Sequence, residues 1–133
     1  VQGDAPAMPY DDASFDVLSI AFGIRNVADP EAALREFRRL LRPGARLTIL
    51  EFSHPRLGPA PLATNLHRDR VLPHTATLIS GDRSGAYHYL PKSIFTFLDR
   101  GEMVSAMERA GFGKVRQRVL TLGVCVCYRG VVR

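Results

Sequence analysis

Residues 15–53 read FDVLSIAFGIRNVADPEAALREFRRLLRPGARLTILEFS. Phe15 to Phe22 is a mostly apolar run with the length of a buried strand in a parallel sheet, and Gly23 ends it. Helix punctuation follows. Asp29 suits the N-cap, and Pro30 the first helical position, where its missing N–H costs nothing. Glu31 falls in the first turn, on the favourable end of the helix dipole. Ala33, Leu34, Phe37, Leu40 and Leu41 recur at helical spacing as one apolar stripe. Glu36, Arg38, Arg39 and Arg42 take the remaining surface, and Pro43-Gly44 is a stop signal. Leu47, Ile49 and Leu50 then lead into Glu51, Phe52 and Ser53 as a second strand. Strand, helix, tight turn and strand make a βαβ unit, whose right-handed crossover sets the strands parallel. Ligands of open α/β sheets bind beyond the carboxyl ends of the strands. Residues 23–26 and 51–54 are therefore the first places to look for chemistry.

Upstream of this unit, Gly3-Asp4-Ala5 opens a proline-containing loop, Pro6 to Pro9, and a polar turn at residues 10–12. Downstream, Asp99 and Glu102 form a capping-box pattern ahead of the stripe Met103, Ala106, Met107, Ala110, and Gly111 ends that helix. Residues 115–122 and 124–132 are rich in β-branched and aliphatic side chains, and they should pair about Gly123 as an antiparallel hairpin at the sheet edge. Between the two halves, residues 54–98 are broken by Pro55, Pro59, Pro61 and Pro73. This insertion reads as a lid or substrate wall, with an ordinary packing excursion as the competing assignment. The fold class is α/β, a mostly parallel sheet with a terminal antiparallel hairpin.

Composition narrows the function classes. The chain has 133 residues and a formal charge of +5, with sixteen arginines and two lysines. A basic balance can serve nucleic acid, an anionic membrane surface or an acidic ligand. Here the cations are scattered, the densest set being Arg35, Arg38, Arg39 and Arg42, so no nucleic-acid partner is expected. Cys125 and Cys127 should share one face of a strand, an awkward geometry for a mutual disulfide. Two buried free thiols are expected, which argues for a reducing, cytoplasmic compartment. No paired histidine motif is present, and no metal is expected. No apolar run reaches the length of a membrane span, although a peripheral enzyme can take a membrane-dissolved substrate from the surface. Position 1 is Val1, which reads as a processing site or the edge of a fragment.

The chain resembles the UbiE/Coq5 family of quinone-biosynthesis C-methyltransferases over essentially all of its length. The resemblance rests on Gly3-Asp4-Ala5, Ser14-Phe15-Asp16, residues 21–27 (AFGIRNV), residues 39–44 (RLLRPG), Leu50-Glu51-Phe52-Ser53, Tyr89-Leu90, Ser93-Ile94 and Ala110-Gly111-Phe112. The AFGIRN run followed by Leu-Glu-Phe-Ser is the most specific part. The resemblance implies a class I, Rossmann-like methyltransferase of which residues 1–133 are the C-terminal part. It implies S-adenosylmethionine as methyl donor and a prenylated quinol as acceptor, demethylmenaquinol first and a ubiquinone-precursor quinol next. Asp4 and Ala5 match the motif that takes the adenine, Asp4 as acceptor for its amino group and Ala5 leaving room beside the ring. Arg25 and Asn26 match the residues beside the reacting quinol. A guanidinium can stabilise the phenolic oxygen and an amide can orient it, whereas arginine stays protonated and serves poorly as a base, which leaves water to carry the proton. A structural ion pair of Arg25 with Asp29 or Glu51 is the competing assignment. Tyr87, Tyr89 and Phe97 are assigned to the quinol wall, and core packing explains such side chains equally well.

Three departures from the family pattern stand out. Gly44-Ala45 replaces Gly-Gly, Phe97-Leu98 replaces Phe-Pro, and no glycine-rich fingerprint follows any strand. The last implies that the glycine-rich turn and the ribose-binding acid belong to an N-terminal half outside these residues. The chain as it stands is then expected to be an inactive fragment, or a non-catalytic assembly partner of a complete methyltransferase. The partners implied are a second copy or that N-terminal half, with a peripheral contact at the inner face of the membrane.

Overall fold

The computed structural model describes residues 4–53 and 97–133, Leu122 by its backbone only. Among these residues, four strands and two α-helices follow in order: β1 (Phe15–Ala21), α1 (Pro30–Leu40), β2 (Leu41–Phe52), α2 (Arg100–Arg109), β3 (Phe112–Leu120) and β4 (Cys125–Val132). They form one sheet of order β1-β2-β4-β3. β1 and β2 run parallel, the outcome of the βαβ unit, while β4 lies antiparallel between β2 and β3. The terminal hairpin thus inserts its second strand beside β2 and leaves β3 at the edge. The expected insertion at residues 54–98, with Tyr87 and Tyr89, falls outside the described residues as far as residue 96.

Local chemistry accounts for the helices. Asp29 accepts a hydrogen bond from the Ala32 amide at 2.9 Å, with Pro30 in the first turn. Asp99 and Glu102 close a reciprocal capping box: the Asp99 carboxylate accepts from the Gly101 and Glu102 amides, and Glu102 accepts from the Asp99 amide at 2.7 Å. Both helices lie on the same side of the sheet. Leu34 and Phe37 of α1 and Met103, Ala106 and Met107 of α2 are buried with Leu47, Ile49, Val126, Tyr128 and Val132 in a single core. Arg109 of α2 pairs with Glu31 of α1.

Three expectations change. The Pro43-Gly44 turn is absorbed into β2, which begins at Leu41: Phe15 pairs with Leu41 but Val17 with Arg46, so residues 42–45 bulge. Gly44 sits in the bulge at φ +81°, a conformation other residues adopt at a cost. The second change concerns β1, which was expected to be buried. Val17 is 63% exposed, and Phe15, Ser19 and Ala21 are also exposed. Leu18 and Ile20 face the helices and pack against the core, but among the described residues no helix covers the other face and no strand pairs the outer edge of β1. The cysteines behave similarly. They share that second face as expected and are free, yet half-buried rather than buried.

Candidate active site

The parallel strands deliver two segments to the same end of the sheet. After β1 the chain makes a single 3-10 turn, Ile24–Asn26, anchored by the buried Ile24. β2 ends beside it with Glu51, Phe52 and Ser53. The link between them is direct, since the Phe22 amide donates to the Leu50 carbonyl at 2.8 Å.

Glu51 falls on the helix-facing side of β2 by strand alternation, after Leu47 and Ile49, and is 1% exposed. A carboxylate so placed requires compensation. Arg25 provides it: Nη1 donates to Glu51 Oε1 at 2.7 Å and to the Phe22 carbonyl at 2.7 Å. The Phe52 amide donates to the same Oε1 at 2.8 Å, and the Arg25 amide makes a long 3.5 Å contact to Oε2. The Arg25 side chain is 9% exposed, and its Cζ stands 5.2 Å from the centroid of the Phe52 ring. The Phe22 and Phe52 rings lie 4.6 Å apart at a tilt of 36°. A guanidinium is thereby held by a buried carboxylate against a two-ring apolar shelf, at the carboxyl ends of both parallel strands. Of the two structural partners considered for Arg25, Glu51 is the one that pairs.

Asn26 is exposed beside Arg25. On the other flank, Arg100 Nε donates to Ser53 Oγ at 2.9 Å and ties the start of α2 to the end of β2. Burial, opposed by Arg100 and reinforced by Asp99 and Glu51, pushes the Tyr128 phenol up to about 12. The Cys125 thiol is raised by burial and then by the charge of Glu51. Asp4 and Ala5 lie apart from Arg25 in sequence, in a turn where the Ala7 amide donates to the Asp4 carbonyl at 2.9 Å. The Asp4 carboxylate is exposed and takes no hydrogen bond from a described residue, while Ala5 is half-buried against the core. An exposed carboxylate acceptor beside a small side chain is what the amino group of an adenine would require. Phe97 also packs against the core. Among the described residues no cluster of His, Cys, Asp or Glu could hold a metal ion.

Sequence reasoning had weighed Glu51 for ordering the arginine. It missed the Phe22–Phe52 shelf, whose signal is only that Phe22 immediately precedes residues 23–26 and Phe52 falls within residues 51–54. It also missed the Arg100–Ser53 link, which no spacing rule announces.

The model of the ubiE/COQ5 methyltransferase family matches residues 1–132. A demethylmenaquinone methyltransferase of Thermus thermophilus is 45% identical over 130 residues, covering 98% of this chain and 58% of the relative. A ubiquinone/menaquinone biosynthesis C-methyltransferase of Methylobacterium nodulans is 42% identical over 98% of this chain and 51% of its own length. The chain thus spans about half the length of the curated relatives it matches. Among solved structures, a SAM-dependent methyltransferase from Thermotoga maritima superposes with a TM-score of 0.64 at 22% identity, covering 100% of this chain and 63% of the other. One from Aquifex aeolicus gives 0.59 at 18% identity, covering 100% and 54%. These structures establish the class I, Rossmann-like methyltransferase fold.

Proposed function

Because the chain belongs to the ubiE/COQ5 methyltransferase family, we propose that it carries the acceptor side and the adenine side of an enzyme that methylates a ring carbon of a prenylated quinol. The observation that carries this reading is the buried Arg25–Glu51 pair on the Phe52 ring, set where the parallel strands end. Carbon methylation requires electron density to move from a phenolic oxygen into the ring. A guanidinium is a permanent cation with five donors and can stabilise that oxygen. Glu51 compensates its charge, so the pair offers orientation more than net field. An oriented donor in a site sheltered from water is worth more than a mobile one, because no reorganisation is needed at the moment of reaction. Phe22, 37% exposed, and Phe52 offer an apolar shelf for the quinol ring, and Asn26 is the amide that orients its oxygen. Water carries away the ring proton.

When bound, S-adenosylmethionine supplies a methyl group already activated by its sulfonium. Asp4 would accept from the adenine amino group, and Ala5 would leave space beside the ring. We take demethylmenaquinol as the leading acceptor, supported by the similarity to the demethylmenaquinone methyltransferase of Thermus thermophilus, and a ubiquinone-precursor quinol as the second. Tyr87, Tyr89 and Phe97 are assigned to the wall of that acceptor site. A prenylated acceptor would be dissolved in the membrane, and our reading has the enzyme meet it at the inner face, from the cytoplasm. No helix among the described residues is long and apolar enough to cross a membrane. A second copy or an N-terminal half completes the assembly.

The test is methyl transfer by the full-length polypeptide from labelled S-adenosylmethionine to short-chain demethylmenaquinol and to a ubiquinone-precursor quinol. Label should enter the quinone ring carbon with the first acceptor in preference. Label found on oxygen, or on neither acceptor, would overturn the proposal.

A further inference from the structure

Residues 4–14 contain no helix or strand beyond the isolated Asp4–Ala7 bridge. Ordering such a stretch costs conformational entropy at every residue, so something outside it must hold it. One side chain does most of this. Arg39, in the last turn of α1, uses every nitrogen of its guanidinium. Nε and Nη2 donate to the two oxygens of Glu36 at 2.8 and 2.7 Å, the bidentate fork. Nη2 also reaches the Met8 carbonyl at 3.2 Å, and Nη1 donates to the Tyr10 carbonyl at 2.9 Å and to the Asp12 carboxylate. Glu36 completes the clamp by accepting from the Met8 amide at 2.8 Å. Met8 is thus gripped through both its N–H and its C=O. Only the tight turn at residues 4–7 separates it from Asp4, and Pro6 stiffens that turn.

We propose that Arg39, locked by Glu36, is a positioning residue that sets the Asp4–Ala5 turn against the adenine of the cofactor. This rests on the reading of Asp4 given above and adds the device that places it. The clamp stands apart from the Arg25–Glu51 pair and shares no hydrogen bond with it. A single exposed ion pair would contribute little. Here one planar group serves two carboxylates and two carbonyls at once, and Glu36 is only 10% exposed. The hydrogen bonds from Arg39, ahead of the opposing effect of burial, hold the Glu36 carboxyl below its ordinary value. Lysine has the charge but not the fork, so it cannot replace these contacts.

The experiment measures S-adenosylmethionine binding calorimetrically, and steady-state kinetics, in the full-length polypeptide. Wild type is compared with Asp4→Asn, Arg39→Ala, Arg39→Lys, Glu36→Gln and the double variant Asp4→Asn/Arg39→Ala. Arg39→Ala and Arg39→Lys should each weaken cofactor binding roughly tenfold, the factor equivalent to losing one charge-assisted hydrogen bond. The KM for cofactor should rise with it, while kcat at saturation and the KM for quinol stay near wild type. The double variant should bind no more weakly than Asp4→Asn alone, since the clamp acts through Asp4. Additive losses, or a fall in kcat and quinol affinity equal to the fall in cofactor affinity, would overturn the proposal while leaving Asp4 in place. Should Arg39→Ala fail to fold, Arg39→Lys and Glu36→Gln give the same comparison. Wild-type affinity in Asp4→Asn would overturn the adenine assignment and this inference together. No cofactor binding by wild type would overturn the proposed function.

Discussion

Removing Arg25 leaves Glu51 buried without its cation, and removing Glu51 leaves a guanidinium against an aromatic ring without its anion. Breaking one side of such a pair costs about 3–5 kcal/mol, whereas replacing both by apolar residues can be close to neutral. Arg25→Ala should therefore destabilise the protein by about 3 kcal/mol and reduce methyl transfer much more than it reduces cofactor binding. Turnover at the wild-type rate would remove Arg25 from the reaction. Tyr128 gives a pH signature at the same end of the sheet. Its folded pKa lies at about 12 and its ordinary value at 10. The unfolded chain loses the phenolic proton first, so the stabilisation is complete below pH 10 and is lost as pH rises to 12. The full difference corresponds to about 3 kcal/mol, of which about 2 kcal/mol is lost by pH 11.5. Chemical denaturation at pH 9 and pH 11.5 should show that loss in wild type, and Tyr128→Phe should lack it.

At the level of elements, the capping box of α2 and the bulge of β2 are the two devices that shape the ends of the site. Asp99 holds two amides of the first turn, and Arg100, next in the chain, reaches Ser53. Asp99→Ala should cost about 1 kcal/mol, read as a shift of the denaturation midpoint. Gly44→Ala should cost about 1–2 kcal/mol, although no atom lies within 4 Å of the added methyl group. The cost is backbone strain at positive φ and not a clash. Asp29, Pro30, Asp99, Glu102 and Gly111 were legible in the sequence because capping is chemistry among residues close in the chain. The start of β2 was not. Pro43-Gly44 signals a turn in isolation, and only the pairing of Phe15 with Leu41 makes it a bulge within a strand. The Arg39 clamp was half legible: Glu36 and Arg39 at i, i+3 suggest a helix-surface pair, but its carbonyl acceptors lie 29 and 31 residues away in sequence. The Arg25–Glu51 pair could be placed among candidates, because both residues follow strands that the βαβ pattern sets side by side.

On the scale of the whole molecule, the described helices cover one face of the sheet only. Val17 and Ser19 of β1, Thr48, Leu50 and Phe52 of β2, and Cys125, Cys127 and Val131 of β4 are left exposed or half-buried on the other face. The outer edge of β1 has no partner strand among the described residues. Unpaired backbone N–H and C=O groups beside exposed apolar side chains form a template for association. Burial of β1 could not be read from its sequence for the same reason: an apolar run reports what a strand can bury, not whether a neighbour is present. A polypeptide of residues 1–133 should therefore self-associate at micromolar concentration, with a sedimentation coefficient that rises with concentration. It should also be inactive in methyl transfer. Asp4 and Arg25 supply two sides of a site, but no glycine-rich turn follows any of the described strands. Misplacement of a reacting group by about 1 Å can cost about a hundredfold in rate. A separately expressed N-terminal half of a related enzyme should suppress the self-association and restore label transfer, because a strand added at β1 and helices laid on the open face satisfy both exposed surfaces together. A 133-residue polypeptide that stays monomeric and methylates quinol at the rate of a full-length relative would defeat this expectation, since no complementing half would then be needed to hold and orient both substrates.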